Sequence, residues 1–265
     1  MDIRPVVVGV KPHQDPRVLH CAAAEARRLG AGILLVHVGS AVPDDLALVE
    51  ALRLAEEVCV GLEVRAETRA GDVVEVLVAA SLEGSAVVLG ADDGAWLLRP
   101  NGDEISHEVA LRSRAPVLVV PRTDSSSRPA GRVVVAVDDM DDMDGQLSYA
   151  FATALLRDQP VDVVHAAGVM SDYPGRLVQL ARLEDHLDRW RARFPSVVVR
   201  SAVEGGHPVS ACLEAGRNAS VLVVGQPDPE QPRMFSRSFT SRLLREAGGP
   251  VAVVPLQHDR APQPA

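Results

Sequence analysis

VVLGADDGAWLLRPNGDEISHEVALRSRAPVLVVP, Val87–Pro121, reads as a buried strand, a polar loop, a helix and a second buried strand. The same order of parts returns in VLVVGQPDPEQPRMFSRSFTSRLLREAGGPVAVVP, Val221–Pro255. Gly90 and Gly225 stand 135 residues apart, and Pro116 and Pro250 stand 134 apart. A solenoid unit runs roughly 20–50 residues, so this period is too long for one and fits a whole small domain. The chain reads as one domain written twice.

Working outward, Pro5-Val6-Val7-Val8-Gly9-Val10 and Ile33–Val38 are short apolar runs bounded by turn residues. They have the signature of strands buried on both faces. Between them Val18, Ala22, Ala26 and Leu29 fall at helical spacing, with Gly30 as the stop. Leu48, Leu52, Ala55 and Cys59 predict a second helix, and the alternation over Leu62–Glu67 predicts a half-exposed strand at a sheet edge. A third helix follows the Gly71-Asp72 turn, and a fourth begins near Ile105. Strictly alternating strands and helices predict a mostly parallel sheet with helices on both faces. Such sheets bind ligands at the carboxyl ends of their strands, where the strand order reverses.

Arg122–Gly131, RTDSSSRPAG, reads as a linker. The expected division is a first domain at 1–123, a linker at 124–131, a second domain at 132–256 and a loose tail at 257–265. In the second copy Val133–Val137 answers the first strand, with Asp138 in the place of Lys11. His165 answers His37, Val197–Arg200 is the expected third strand, and Gly206-His207-Pro208 answers the Gly71 turn. Leu180, Leu183, Leu187, Trp190 and Phe194 form a long apolar stripe. The offset grows from 128 to 135 between the second and fourth strands, so copy two carries about seven extra residues there.

Composition narrows the function. Aromatics are 3% and the net charge is −9, so the core rests on Val, Leu and Ala, and no basic face for nucleic acid is expected. No CxxC joins Cys21, Cys59 and Cys212, which read as buried small residues in a reducing compartment. No apolar run reaches about 18 residues, so no membrane span is expected, and the predicted location is the cytoplasm. The acidic run Asp138–Gly145 resembles a calcium loop, but a frame ending at Gly145 puts Met140 and Phe151 at ligand positions. It reads instead as a solvated loop whose acids favour the following helix N-terminus. His37 and His165 read as packed, hydrogen-bonded strand ends. The G-x-S-x-G, H-E-x-x-H, P-loop and G-x-G-x-x-G motifs are absent, so no catalytic residue and no metal site is expected.

As a set, VVVGV and VVVAVD, LLVHV and VVHAA, the Gly71 and Gly206 turns, VVLG and VVVG, and APVLVVP and GPVAVVP resemble a tandem universal stress protein. The resemblance implies two Rossmann-like α/β domains, each a five-stranded parallel sheet of order 3-2-1-4-5. It also implies pairing of last strands across a two-fold axis. Here that means an internal pseudo-dimer through Pro116–Val120 and Pro250–Val254, with a homodimer of the whole chain as a further expectation.

Relatives of that family that bind ATP carry G-x2-G-x9-G-[ST] after strand four and an Asp after strand one. Copy one keeps only Gly90, a vestige, with Asp93, Asp103 and Glu104 at the other motif positions and Lys11 in place of the Asp. Copy two keeps Asp138, Gly225 and Ser238, but has Asp228 and Arg237 for the two later glycines and adds Pro227, Pro229 and Pro232. Each proline removes an N–H donor, and acids repel phosphate. The expectation is a non-catalytic stress-response protein with degenerate loops, no resident cofactor and an unidentified protein partner. The alternative is an adenine-nucleotide sensor that uses Asp138, Gly225, Arg237 and Ser238 of copy two. A nucleotide hydrolase ranks third.

Overall fold

The computed structural model describes residues 4–39, 46–91, 105–122, 131–137, 140, 142–167, 172–227 and 237–255. The chain divides into two compact units, Met1–Arg122 and Thr123–Ala265. The first unit carries β1 (Val6–Val10), α1 (Pro16–Leu29), β2 (Ile33–Val38), α2 (Leu46–Val58) and β3 (Val64–Arg69). It continues with α3 (Val73–Glu83), β4 (Ala86–Gly90), α4 (Ile105–Arg112) and β5 (Val117–Val120). Its strands lie parallel in the order β3-β2-β1-β4-β5. The second unit carries β6 (Val133–Val137), α5 (Asp144–Arg157), β7 (Val161–Ala166), α6 (Tyr173–Arg193) and β8 (Val199–Glu204). After these come α7 (Pro208–Ala215), β9 (Val221–Gly225), α8 (Arg237–Glu246) and β10 (Val251–Val254). Its parallel order is β8-β7-β6-β9-β10, the same 3-2-1-4-5 arrangement.

The valine runs form these strands because both sheet faces are covered and every position wants an apolar, β-branched side chain. Val6, Val7, Val8, Val133, Val135 and Val137 are wholly buried. Helix starts follow their capping residues. Asp15 accepts from Arg17 N–H before Pro16, and Asp72 accepts from Val74 and Glu75 N–H groups. Gly30 ends α1 at φ +63°, a left-handed conformation that suits glycine.

Several expectations move. The third strands begin two residues late, at Val64 and Val199, because Leu62 and Val197 still belong to the turns that end the preceding helices. Leu62 N–H donates to Cys59 O, and Val197 N–H to Phe194 O, each at 3.0 Å. Helix α2 buries Ala47, Ala51, Ala55 and the adjoining Cys59, rather than Leu48 and Leu52. Small side chains let that helix approach the sheet closely. Leu29 and Leu180 are half-buried, outside the fully buried stripes. The surplus of copy two lies within α6, which has 21 residues against 13 in α2. The acidic run is not wholly solvated, for Met140 and Met143 are buried, while Asp144 opens α5 and pairs with Arg189. Asp92, Asp93, Asp103, Glu104, Asp138, Asp228, Pro229 and Pro232 lie outside the described residues, as do linker positions 124–130 and the tail 257–265.

Among the described residues, no helix is long and apolar enough to cross a membrane. Cys59 and Cys212 are buried and Cys21 half-buried, none of them in a disulfide, and burial pushes the Cys59 thiol up.

Candidate functional site

In each unit the strand order reverses between the first and fourth strands, and the crevice at their carboxyl ends is the place a ligand would enter. The two crevices are lined by answering residues. The third residue of the helix after strand one is Val18 in α1 and Gln146 in α5, 128 positions apart. Each stands against the glycine that ends strand four.

In the second unit, a methyl group on Gly225 would collide with the Gln146 amide. Gln146 is buried, and its amide orientation follows from its neighbours. Its oxygen accepts from Gly225 N–H at 2.9 Å, and its nitrogen donates to Met143 O at 3.2 Å. The glycine therefore answers a packing demand inside the protein, and its N–H is already engaged. Alongside, His165 is buried and its Nδ1–H donates to Val137 O at 3.0 Å, which fixes the ring across the ends of β6 and β7. That is the packed strand-end histidine expected from the sequence. Arg237 and Ser238 are the first two residues of α8, and both are exposed.

The first unit has different chemistry at the same place. A methyl group on Gly90 would meet Val18 Cγ2 at 3.3 Å and Lys11 Cε at 3.9 Å. The Lys11 stem thus lies over the glycine, and Nζ reaches Ala91 O at 3.5 Å. Lys11 N–H donates to Gln14 Oε1 at 3.2 Å, so the loop after β1 folds back on itself. The Arg17 guanidinium, hydrogen-bonded to Asp15, holds that carboxyl below the usual carboxylate range and also donates to Arg122 O at 2.9 Å. A cation stands at the end of β1 here, where the second unit has Asp138. Among the described residues, no cluster of three or more His, Cys, Asp or Glu is placed to hold a metal ion.

Sequence reasoning singled out Gly90, Gly225, Arg237 and Ser238 but missed Val18 and Gln146. The 128-residue offset aligns that pair, yet only the fold shows that a helix's first turn reaches a strand so far along the chain.

The Gln146 contact predicts a measurable cost. Gln146→Ala leaves a buried Gly225 N–H without its acceptor and should destabilise the second unit by about 1–3 kcal/mol. Urea unfolding checks this, and a loss below about 0.5 kcal/mol would mean that the amide is not needed there.

The comparisons with known proteins follow the same lines. Residues 130–255 match the model of the Universal stress protein family. A universal stress protein of Mycobacterium tuberculosis is 32% identical over 151 residues, which cover 57% of this chain and 54% of the relative. The chain thus spans about half the length of that relative. One of Mycolicibacterium smegmatis is 28% identical over 208 residues, covering 73% of this chain and 69% of the relative. A universal stress protein from Archaeoglobus fulgidus has a similar fold, with TM-score 0.66 at 18% identity over 96% of this chain and 97% of that one. A putative universal stress protein from Pseudomonas aeruginosa gives TM-score 0.67 at 19% identity over 96% and 94%. Residues 130–255 are thus similar to universal stress protein domains in sequence, and the strand order of both units is consistent with that likeness.

Proposed function

We propose that the chain is a non-catalytic stress-response protein made of two universal stress protein-type domains, whose nucleotide loops have degenerated and which acts by binding protein partners. The tandem reading draws on the first unit, which repeats the strand order of the second. The observation that carries the loss of nucleotide binding is the occupation of both strand-four glycines. Gln146 takes the Gly225 N–H, and the Lys11 stem covers Gly90. Phosphate cradling needs free backbone N–H groups and close backbone approach. The proline and acidic substitutions in both loops work against it too.

One observation favours the sensor reading. Arg237 and Ser238 are exposed at the start of α8, where a charged donor and a hydroxyl suit phosphate. The two readings separate on the protein as purified. Acid extraction followed by chromatography should release no adenine nucleotide. Stoichiometric release that disappears in the Arg237→Ala, Ser238→Ala double variant would establish the sensor instead.

A further inference from the structure

We propose that β8, the outer strand of the second unit, is a self-pairing edge through which two copies of this chain associate antiparallel about Ala202. This goes beyond the reading of the nucleotide loops and does not depend on it.

Among the described strands, β8 has one neighbour, β7. Val161 N–H donates to Val198 O and Ala167 N–H to Glu204 O, each at 2.8 Å, so the even-numbered residues turn their backbone groups inward. Val199, Ser201 and Val203 then direct their N–H and C=O groups to the outer edge. Such an edge is a template for another strand unless it is blunted.

The sequence of β8, VRSAVE, complements itself. A two-fold axis at Ala202 sets Ser201 opposite Val203 and Val199 opposite Gly205. These are the residues with outward groups, so they form the hydrogen-bonded pairs. Arg200 then faces Glu204 of the second copy, and Glu204 faces its Arg200, in the pairs where antiparallel side chains come closest. Neither side chain is tightly held within its own unit. Arg200 has its nearest carboxylate, Asp162, only at 4.0 Å, and Glu204 makes no ion pair among the described residues.

The outer strand of the first unit differs. On β3, Arg65 pairs with Glu63 at 2.7 Å, and Arg69 with Glu67 at 2.5 Å and Glu83 at 2.7 Å, so its charges are already taken.

Ser201 donates to Glu184 of α6, so the odd-numbered side chains face that helix. Beside it Val203, Tyr173, Leu177 and Leu180, together with the charged Arg176 and Glu204, line a mixed groove of about 480 Å³, and Tyr173 and Leu177 are 67% and 49% exposed. Pairing about Ala202 puts both α6 helices on one face of the joined sheet, so the groove runs along the junction.

Sedimentation equilibrium of the full chain is the test. The wild type should reach twice the 28.2 kDa chain mass as concentration rises. Arg200→Glu and Glu204→Arg each turn two attractive cross-strand pairs into repulsive ones. Each should weaken the dimer by about ten- to a hundredfold. The double variant Arg200→Glu, Glu204→Arg restores opposite charges and should recover the wild-type constant to within about threefold. Circular dichroism of all three variants checks that they remain folded. A wild type that stays monomeric overturns the proposal. So does a dimer indifferent to the single changes, or a double variant that fails to recover.

Discussion

Phe151→Ala should cost the second unit about 3–5 kcal/mol, the largest loss of stability expected from any single change considered in this chain. Aromatics are only 3% of the sequence, and three of them meet here. Phe151 is wholly buried in α5, with ring centroids 5.3 Å from both Trp190 and Phe194 at the far end of α6. Trp190 and Phe194 stack at 6.0 Å, with the Arg193 guanidinium over both rings. Removing the Phe151 ring opens a cavity between two helices that rigid neighbours close only partly. Trp190→Phe is the informative contrast. Its Nε1–H is buried without an acceptor among the described residues, so the change removes an unmet donor while keeping most of the ring. It should cost no more than about 1 kcal/mol, because the lost volume and the removed unmet donor offset each other. Urea unfolding followed by circular dichroism measures both. A Phe151→Ala loss below about 1 kcal/mol would mean that the cluster is not a packing centre.

Much of this fold was legible because the chain repeats its physical signals. Runs such as Val6-Val7-Val8 and Val133-Val134-Val135 admit few alternatives to buried parallel strands, and Gly30, Asp72 and Pro208 mark helix ends by their own chemistry. Periodicity misled where residue size mattered. In α2 it picked out Leu48 and Leu52 beside Ala55 and Cys59, while the sheet accepts Ala47 and Ala51 in place of the leucines. It also gave no hint that Glu25, wholly buried on the apolar face of α1, is held there by Arg28, whose Nε donates at 3.0 Å. Arg28 follows it by three positions, a spacing common on helix surfaces, so the pair carries no mark of burial. The candidate site was half legible. Departures at Lys11, Asp93 and Asp228 stand in the sequence, since they are substitutions at motif positions. The roles of Val18 and Gln146 do not, since each acts on a strand more than 70 residues away.

The second large effect concerns ATP. A micromolar site corresponds to about −8 kcal/mol, of which each hydrogen bond to a charged phosphate supplies roughly 1.5–3 kcal/mol. Gln146 already occupies the Gly225 N–H, and the loop prolines remove further donors. Three such losses, even at the low end, move the site to about millimolar or weaker. In the first unit Lys11 places a favourable charge at the crevice, but its stem lies over Gly90, where backbone would have to approach. The sequence also sets Asp93, Asp103 and Glu104 in the loop that follows strand four.

Isothermal titration of magnesium-ATP into the full chain tests the loss of nucleotide binding most directly. The expected result is no saturable heat below about 1 mM, and the same for Asp138→Ala and Ser238→Ala. A micromolar constant would contradict it. If that constant survived both substitutions, the nucleotide would lie in the first unit, beside Lys11, where least binding is expected.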